Sequence, residues 1–246
     1  ANSIEEFVQK GMMIHAEIMR AELEWVRAHK PVTGGVMNWM YSDIWPSGTW
    51  SVVDYYTEPK QVYYQMRRSF QPVLATFTQN SDGKTLLVLD NESGESITLD
   101  VEYGKRTMCG ETIESRRVQI TLPHGQAHTE PVDFDVATKD TYLYTTCNDG
   151  SSMYRNVYSP DFWRTAEIDG DYTVTKEVVS ENKLNIKIKA NSFIKSLFLQ
   201  FPDNYKYLYS DNYLDMEAGE ERLVTVTSEK KINPDELVIT CFEQHK

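Results

Sequence analysis

The sequence predicts a mainly β protein in which two β-sandwiches follow an α-helical N-terminal segment. From residue 74 onward, short alternating runs rich in Val, Thr, Ile and Tyr are separated by turn-forming residues, a pattern typical of sandwiches. Residues 3–29 instead repeat apolar side chains at steps of three and four, as an amphipathic helix does. The turn-like Asp169-Gly170-Asp171 segment divides the β region in two.

The first predicted element is a helix from Ser3 to His29. Ser3 and Glu6 have the spacing of a capping box, and Lys30-Pro31 ends the periodic run. Burying the large apolar side chains of one face would contribute on the order of 9 to 18 kcal/mol gross. That face therefore needs a covering partner: the β-sandwiches, a second copy of the chain or a separate polypeptide. It carries Ile4, Phe7, Val8, Met12, His15, Ile18, Glu22, Trp25 and Val26.

The stretch from Gly34 to Tyr56 holds three of the five tryptophans. A β-branched and aromatic run after Gly34-Gly35 predicts a buried strand, and the polar and Pro/Gly-containing residues 42–48 predict an exposed loop. Indole rings beside a carboxylate suit a sugar, because the ring covers its apolar C–H face and the carboxylate accepts from its hydroxyl groups. A tryptophan cluster inside a core is the alternative. The candidate sugar-binding residues are Trp39, Asp43, Trp45 and Trp50.

A second helix is predicted from Pro59, at its first position, to Phe70. Six runs predict the first sandwich: Leu74–Thr78, Thr85–Leu89, Ile97–Tyr103, Arg117–Leu122, Pro131–Val136 and Tyr142–Thr146. Five runs predict the second: Tyr172–Ser180, Lys183–Ala190, Ser196–Phe201, Arg222–Thr227 and Leu237–Phe242. The predicted domains are residues 1–73, 74–168 and 169–246.

A fixed order of motifs occupies both ends of the chain. It reads Trp39-Met40-Tyr41-Ser42-Asp43-Ile44-Trp45-Pro46, Thr49-Trp50, Asp54-Tyr55-Tyr56, Pro59-Lys60, Tyr63-Tyr64, Pro72-Val73 and, in residues 208–220, LYSDNYLDMEAGE. This order resembles the C-terminal part of glycoside hydrolase family 2, and within it the β-mannosidase branch. Met40, Ser42 and Ala218 stand where that branch usually has Gln, Asn and Pro. Exo-β-glucosaminidases also tolerate Met after the tryptophan.

The resemblance implies a fold: the terminal helix-strand-helix segment of a (β/α)8 barrel, followed by two immunoglobulin-like β-sandwich domains. A complete barrel takes about 250 residues, so the chain is expected to be the C-terminal part of a larger enzyme. The two glutamates of the family that act as nucleophile and acid/base lie on barrel strands four and seven, upstream of Ser3, so no catalytic residue is assigned here. The resemblance also implies a cis peptide bond after Trp39.

For the parent enzyme the resemblance implies retaining exo-hydrolysis of terminal β-mannosyl residues. Trp39 would be a wall of the innermost sugar subsite, and Asp43 would either bind a sugar hydroxyl or orient the loop. Trp45 and Trp50 are expected mainly to hold the loop by packing. An exo-β-glucosaminidase, or another family 2 enzyme similar to β-galactosidase or β-glucuronidase, is the alternative activity. A non-catalytic module that binds carbohydrate or braces the barrel is a further alternative.

Composition and charge limit the partners. The formal net charge of −12 disfavours nucleic acid and an anionic membrane surface, because like charges repel. A β-linked oligosaccharide or neutral glycan end remains compatible. The three cysteines, Cys109, Cys147 and Cys241, are odd in number and widely spaced. They predict reduced, partly buried thiols rather than a disulfide framework or a zinc site. No cofactor and no metal are expected.

Overall fold

The computed structural model describes residues 3–135, 139–161 and 163–242, and its fold is mainly β, as predicted. Helices α1 (Ile4–Ala28) and α2 (Gln61–Ser69) precede the fourteen strands of the described ranges. The strands form two pairs of antiparallel sheets, and each pair encloses a core of its own.

The first sandwich contains seven strands: β1 (Val73–Gln79), β2 (Thr85–Asn91), β3 (Ile97–Thr107), β4 (Thr112–Leu122), β5 (Gln126–Pro131), β6 (Thr141–Asn148) and β7 (Met153–Tyr158). One sheet has the order β1-β2-β5 and the other β4-β3-β6-β7. Leu87 and Leu89 of the first sheet meet Leu99 and Leu143 of the second in a fully buried cluster. Burial of these side chains is the main stabilising contribution to this sandwich.

The second sandwich also contains seven strands: β8 (Tyr172–Ser180), β9 (Lys183–Ala190), β10 (Ile194–Gln200), β11 (Tyr207–Tyr209), β12 (Leu214–Met216), β13 (Glu221–Ser228) and β14 (Val238–Phe242). Its sheets have the orders β12-β10-β14 and β11-β13-β9-β8. Along β9, Leu184, Ile186 and Ile188 are buried, whereas Lys187 and Lys189 between and after them are exposed. This period of two is the one that predicted the strand.

The strand predicted at Pro131–Val136 is wrong. Strand β5 instead ends at Pro131, residues 132–135 are not in a strand, and Val136 lies outside the described residues. Among the described strands, β5 pairs only with β2. It is therefore an edge strand with few buried side chains, and it lacks the alternation of a half-buried strand. Strand β7 was not predicted for a similar reason, since Val157 is the sole buried residue in it.

Helix α1 begins as predicted, because Ser3 accepts a hydrogen bond from the backbone N–H of Glu6 at 3.2 Å. The prediction that the sandwiches could cover its apolar face is wrong. Ile4, Phe7, Val8, Ile18 and Trp25 are 45% to 73% exposed. The opposite face is buried and carries Met13, Ala16, Glu17, Met19, Arg20, Leu23, Glu24 and Arg27. Periodicity missed this face because half of its residues are charged and are buried through pairing.

A buried charge network joins α1 to the second sandwich. Glu17 bonds Arg20 at 2.7 Å and Lys195 of β10 at 2.7 Å, and Lys195 also bonds Asp215 at 2.5 Å. The indole N–H of Trp163 donates to Glu17 at 3.3 Å. Burial alone would raise the pKa of Glu17, but the charges of Arg20 and Lys195 outweigh burial and lower it. Glu17 is therefore an ionised carboxylate that fixes the helix on the sandwich.

A second set of buried contacts joins α1 to the first sandwich. Arg27 donates to Asp90 of β2 at 2.6 Å, and Lys30 bonds the same carboxylate at 3.0 Å. Glu24 accepts from Thr76 of β1 at 2.5 Å and from Asn156 of β7 at 3.4 Å. Burial raises the pKa of Glu24 above its ordinary value. One helix thus holds both sandwiches in place.

Helix α2 begins at Gln61, two residues later than predicted. Lys60 is its N-cap residue, and Pro59 lies before the helix, where it forms an isolated β-bridge with Val53. The helix lies on the second sandwich: Gln61 donates to Ser196 at 2.6 Å, and Arg68 bonds Asp211 at 2.8 Å.

The buried strand predicted after Gly34-Gly35 is also wrong. Residues 33–38 form no regular strand, and Met37 is almost fully exposed. A barrel strand is buried by neighbouring strands on both sides, and the described residues supply no such neighbours for this segment.

The remaining expectations concern thiols, metals and membranes. No disulfide joins the three cysteines within the described ranges, and Cys109 is exposed rather than partly buried. In the part of the chain that the structure describes, no cluster of His, Cys, Asp and Glu side chains is arranged to hold a metal. The same residues include no helix with the length and hydropathy needed to cross a membrane.

Candidate functional site

The candidate site is the loop of residues 39–60, which connects the segment after α1 to helix α2. Its base is a set of backbone hydrogen bonds: the N–H of Val53 donates to Tyr41 at 2.8 Å, and the N–H of Lys60 donates to Val52 at 3.0 Å. Val52 and Val53 are buried against both helices. This base is fixed, and the residues between Asp43 and Ser51 project from it. The peptide bond between Trp39 and Met40 is cis, as the resemblance predicts.

Asp43 is buried at the base of the loop, and both of its oxygens have partners. The hydroxyl of Thr49 donates to Oδ1, and the Lys60 ammonium donates to Oδ2 at 3.0 Å. Lys60 also donates to the hydroxyl of Ser51 at 2.6 Å. Burial alone would raise the pKa of Asp43, but hydrogen bonds from Thr49, Lys60 and Ser51 outweigh it and lower the pKa. These contacts support the loop-orienting role rather than a direct contact with a sugar hydroxyl.

The three candidate tryptophans present their rings to solvent. Trp39 is 82% exposed, Trp45 62% and Trp50 73%. They are therefore not part of a core, and packing does not explain Trp45 and Trp50. Met37, Tyr41 and Ile44 in the same stretch are exposed as well. Exposed apolar residues concentrated in one short segment mark an interaction surface.

Sequence reasoning missed three tyrosines as candidate site residues, two in this loop and one beside it. Tyr55 and Tyr56 follow the base residue Val53 within the loop, and Tyr205 lies in the Asn204–Lys206 turn of the second sandwich. The rings of Tyr56 and Tyr205 are 6.4 Å apart between centroids. Tyr55-Tyr56 belongs to the family motif, so the sequence could have indicated these two. Nothing local links Tyr205 to the loop, since its approach depends on how the sandwich docks.

Replacing Asp43 with Asn is expected to loosen the loop base. The change removes the charge-assisted bond to Lys60, so amide exchange at Val52 and Lys60 should speed up by about tenfold or more. Hydrogen–deuterium exchange followed by mass spectrometry measures this, with the exposed Asp82→Asn as the control. Equal protection in Asp43→Asn and in the unchanged chain would rule out the anchoring role.

The same anchor is expected to be sensitive to acid. A carboxylate whose folded-state pKa is lowered, as that of Asp43 is, stabilises the fold above its ordinary pKa of about 3.9. That stabilisation is lost as the pH falls through the lowered value. Loop protection, corrected for intrinsic exchange rates, should therefore decrease below about pH 4 in the unchanged chain and stay low in Asp43→Asn.

Comparison with known proteins finds that the chain is similar to glycosidases. Residues 166–240 match a family model described as an Ig-fold domain, Ig_mannosidase. β-Mannosidase B of Thermothelomyces thermophilus is 23% identical over 93% of the chain. The β-D-mannosidase of Dictyoglomus thermophilum superimposes over 99% of the chain with a TM-score of 0.84 and 19% identity. The chain resembles the C-terminal portion of a family 2 β-mannosidase.

Glucosaminidases are similar over much of the same region. The exo-β-D-glucosaminidase of Hypocrea jecorina is 26% identical over 68% of the chain and 19% of its own length. The exo-chitosanase of Amycolatopsis orientalis superimposes over 98% of the chain and 34% of its own length, with a TM-score of 0.71 and 16% identity. The chain spans 30% of the length of both the Thermothelomyces and the Dictyoglomus β-mannosidase. The relatives are thus glycoside hydrolases, and the shared fold includes the Ig-like second sandwich.

Proposed function

We propose that this chain is the C-terminal portion of a retaining exo-β-mannosidase, in which the loop of residues 39–60 forms one wall of the sugar pocket. The observation that carries the proposal is the exposure of Trp39, Trp45 and Trp50 on a loop whose base is held by Asp43 and Lys60. An exposed indole on a fixed mount suits the apolar face of a sugar ring. The resemblance to β-mannosidases over 93% of the chain supports the same function.

In this proposal the two catalytic glutamates belong to barrel strands outside this chain. Retaining hydrolysis needs two carboxyl groups about 5 to 5.5 Å apart, one as nucleophile and one as acid/base. Asp43 serves neither role, because its oxygens are engaged by Thr49 and Lys60. The role of this chain in catalysis is then to shape the pocket, with Trp39 at its wall and Asp43 holding the loop.

The proposed domain division is residues 1–73, 74–168 and 169–246. Two separate buried clusters support the two sandwich domains. The described residues of the first segment form no comparable core, since its helices enclose a small cluster around Ala16, Met19 and Val62. It would be the terminal helix-strand-helix segment of a (β/α)8 barrel.

The rest of that barrel is the proposed cover of the apolar face of α1. Ile4, Phe7, Val8, Ile18 and Trp25 lie on this face and are exposed, and the sandwiches occupy the opposite face. The chain spans 30% of the length of the Thermothelomyces relative, which supports a barrel portion outside this chain as the cover. A second copy of the chain is the other candidate for this surface.

The sandwiches are proposed to brace the barrel rather than to bind glycan on their own faces. Buried ion pairs join them to α1 through Lys195 and Asp90. Among the described residues of both sandwiches, the exposed large apolar side chains include a single aromatic ring, that of Tyr205. An aromatic strip of the kind that binds polysaccharide is therefore not part of the described surface.

The full-length protein that carries this sequence is expected to hydrolyse 4-nitrophenyl β-mannoside. Proton NMR of the first-formed sugar should show the β-anomer, as retention requires. The 246-residue chain alone should give no turnover. Turnover by the chain alone would contradict the placement of the glutamates, and an inverted product would contradict the mechanism. Preferential hydrolysis of 4-nitrophenyl β-glucosaminide would favour the exo-β-glucosaminidase alternative, which the Hypocrea relative supports.

A further inference from the structure

Three exposed tyrosines, two from the loop and one from the second sandwich, form one cluster. The rings of Tyr55 and Tyr56 are 5.3 Å apart and nearly perpendicular, and those of Tyr56 and Tyr205 are 6.4 Å apart and tilted by 34°. Tyr55 is 48% exposed, Tyr56 56% and Tyr205 49%. About half of each side chain therefore remains accessible although the rings contact one another.

The cluster lies next to a partly buried polar contact between the loop and the second sandwich. The Asn204 side chain donates to Glu58 at 2.6 Å and accepts from the Tyr209 hydroxyl at 2.5 Å and from the N–H of Phe201 at 3.1 Å. Asn204 is itself buried. The amide nitrogen of Asn204 is bonded to the loop, and its amide oxygen is bonded to the second sandwich. These bonds fix the turn that carries Tyr205 relative to the loop. A surface ordered before binding loses little conformational entropy on binding.

The charges around the cluster disfavour an anionic ligand. The loop side carries the interacting carboxylates Asp54 and Glu58. On the sandwich side, Asp203 pairs with Lys206, whose ammonium lies 5.2 Å from the centre of the Tyr205 ring. A tyrosine offers an apolar ring for a C–H face and a hydroxyl for a hydrogen bond. This combination suits an uncharged sugar.

The position of the cluster connects it to the proposed sugar wall. Tyr55 follows Trp50 by five residues, and a five-residue segment spans at most about 18 Å. An oligosaccharide of a few units covers such a distance. A glycan whose end lies against the indoles can therefore extend to the tyrosines.

We propose that Tyr55, Tyr56 and Tyr205 form an outer binding site for the inner sugars of an uncharged β-linked oligosaccharide, built jointly by the loop and the Ig-like second sandwich. The inference rests on the proposed function for its ligand. It assigns the second sandwich a direct part in substrate length preference, in addition to bracing.

Tyr205→Ala in the full-length protein is expected to raise KM for β-1,4-mannotetraose about three- to tenfold, the range given by loss of one ring contact. The KM for 4-nitrophenyl β-mannoside should not change, because this substrate lacks the inner sugars that the cluster is proposed to bind. An unchanged kcat would show that the substitution weakens binding of the substrate and of the transition state equally. Tyr205→Phe should keep most of the affinity. Leu208→Ala, at an exposed apolar residue of the same sandwich, is the control.

Equal changes for the two substrates, or no change for either, would overturn the inference. A fall of several degrees in melting temperature together with equal kinetic losses would instead show that the tyrosines pack against protein. If the unchanged full-length protein turned over neither substrate, the proposed function would be refuted.

The tyrosine site would in that case be tested by saturation-transfer NMR of mannotetraose with the 246-residue chain. Saturation transfer that Tyr205→Ala abolishes would support the tyrosine site, and transfer that is absent or unaltered by the substitution would refute it.

Discussion

Replacing Lys195 with Met is expected to destabilise the protein by about 3 to 5 kcal/mol, the usual cost of removing one partner from a buried ion pair. Lys195 and Glu17 have side chains that are each 1% exposed, and their charged atoms lie 2.7 Å apart. Methionine fills similar volume but leaves Glu17 with Arg20 as its remaining cation and deprives Asp215 of its bond to Lys195. Folding stability decreases because a buried carboxylate without sufficient partners is poorly solvated.

Thermal unfolding measures this loss. At about 2 to 4 °C per kcal/mol for a chain of this size, the melting temperature should fall by roughly 6 to 20 °C. Lys187→Met is the matched control, because Lys187 pairs with Glu221 at 2.7 Å but its side chain is 58% exposed. An exposed pair contributes about 0 to 1 kcal/mol. Equal shifts for the two variants would show that the Glu17 network does not hold helix α1 on the second sandwich.

Replacing Trp39 with Ala is expected to lower kcat/KM of the full-length protein on 4-nitrophenyl β-mannoside at least about thirtyfold, since truncating a central aromatic contact costs about 2 kcal/mol or more. The ring is exposed in this structure, so the effect should fall on binding and catalysis rather than on folding. The stability of the 246-residue chain should change by no more than about 0.5 kcal/mol.

Two variants complete this experiment. Trp39→Phe keeps an aromatic face and should retain part of the activity. Leu223→Ala removes an exposed apolar side chain of β13, far along the chain from the loop, and should leave the kinetics unaltered. A Trp39→Ala protein with near-normal kcat/KM would remove Trp39 from the sugar pocket.

Most of the second sandwich could be predicted from the sequence. The predicted bounds of β8 and β9 agree with the structure, Tyr172–Ser180 and Lys183–Ala190, because apolar and polar residues alternate along β9 and a short turn follows β8. The N-cap at Ser3 could also be predicted from the sequence, since capping depends on residues within one helical turn. The loop exposure around Trp45 followed from its Pro and Gly residues.

The buried face of α1 could not be predicted in this way. Hydropathy favours the face with Phe7 and Ile18, whereas the structure buries Glu17, Arg20 and Glu24. Charged residues are buried only where partners neutralise them, and those partners, such as Lys195 and Thr76, are far away in sequence. The edge strand β5 was missed because its pairing, rather than its side chains, defines it.

The sequence by itself determined the local conformations: the helices, the alternating strands, the exposed tryptophan loop and its resemblance to β-mannosidases. Tertiary structure alone decided which face of α1 is buried, that Asp43 is engaged by Thr49 and Lys60, and that Tyr205 lies beside Tyr56. The physical reason is range. Backbone propensity and side-chain periodicity act over a few neighbouring residues, whereas burial of charge and the meeting of aromatic rings depend on residues that only folding brings together.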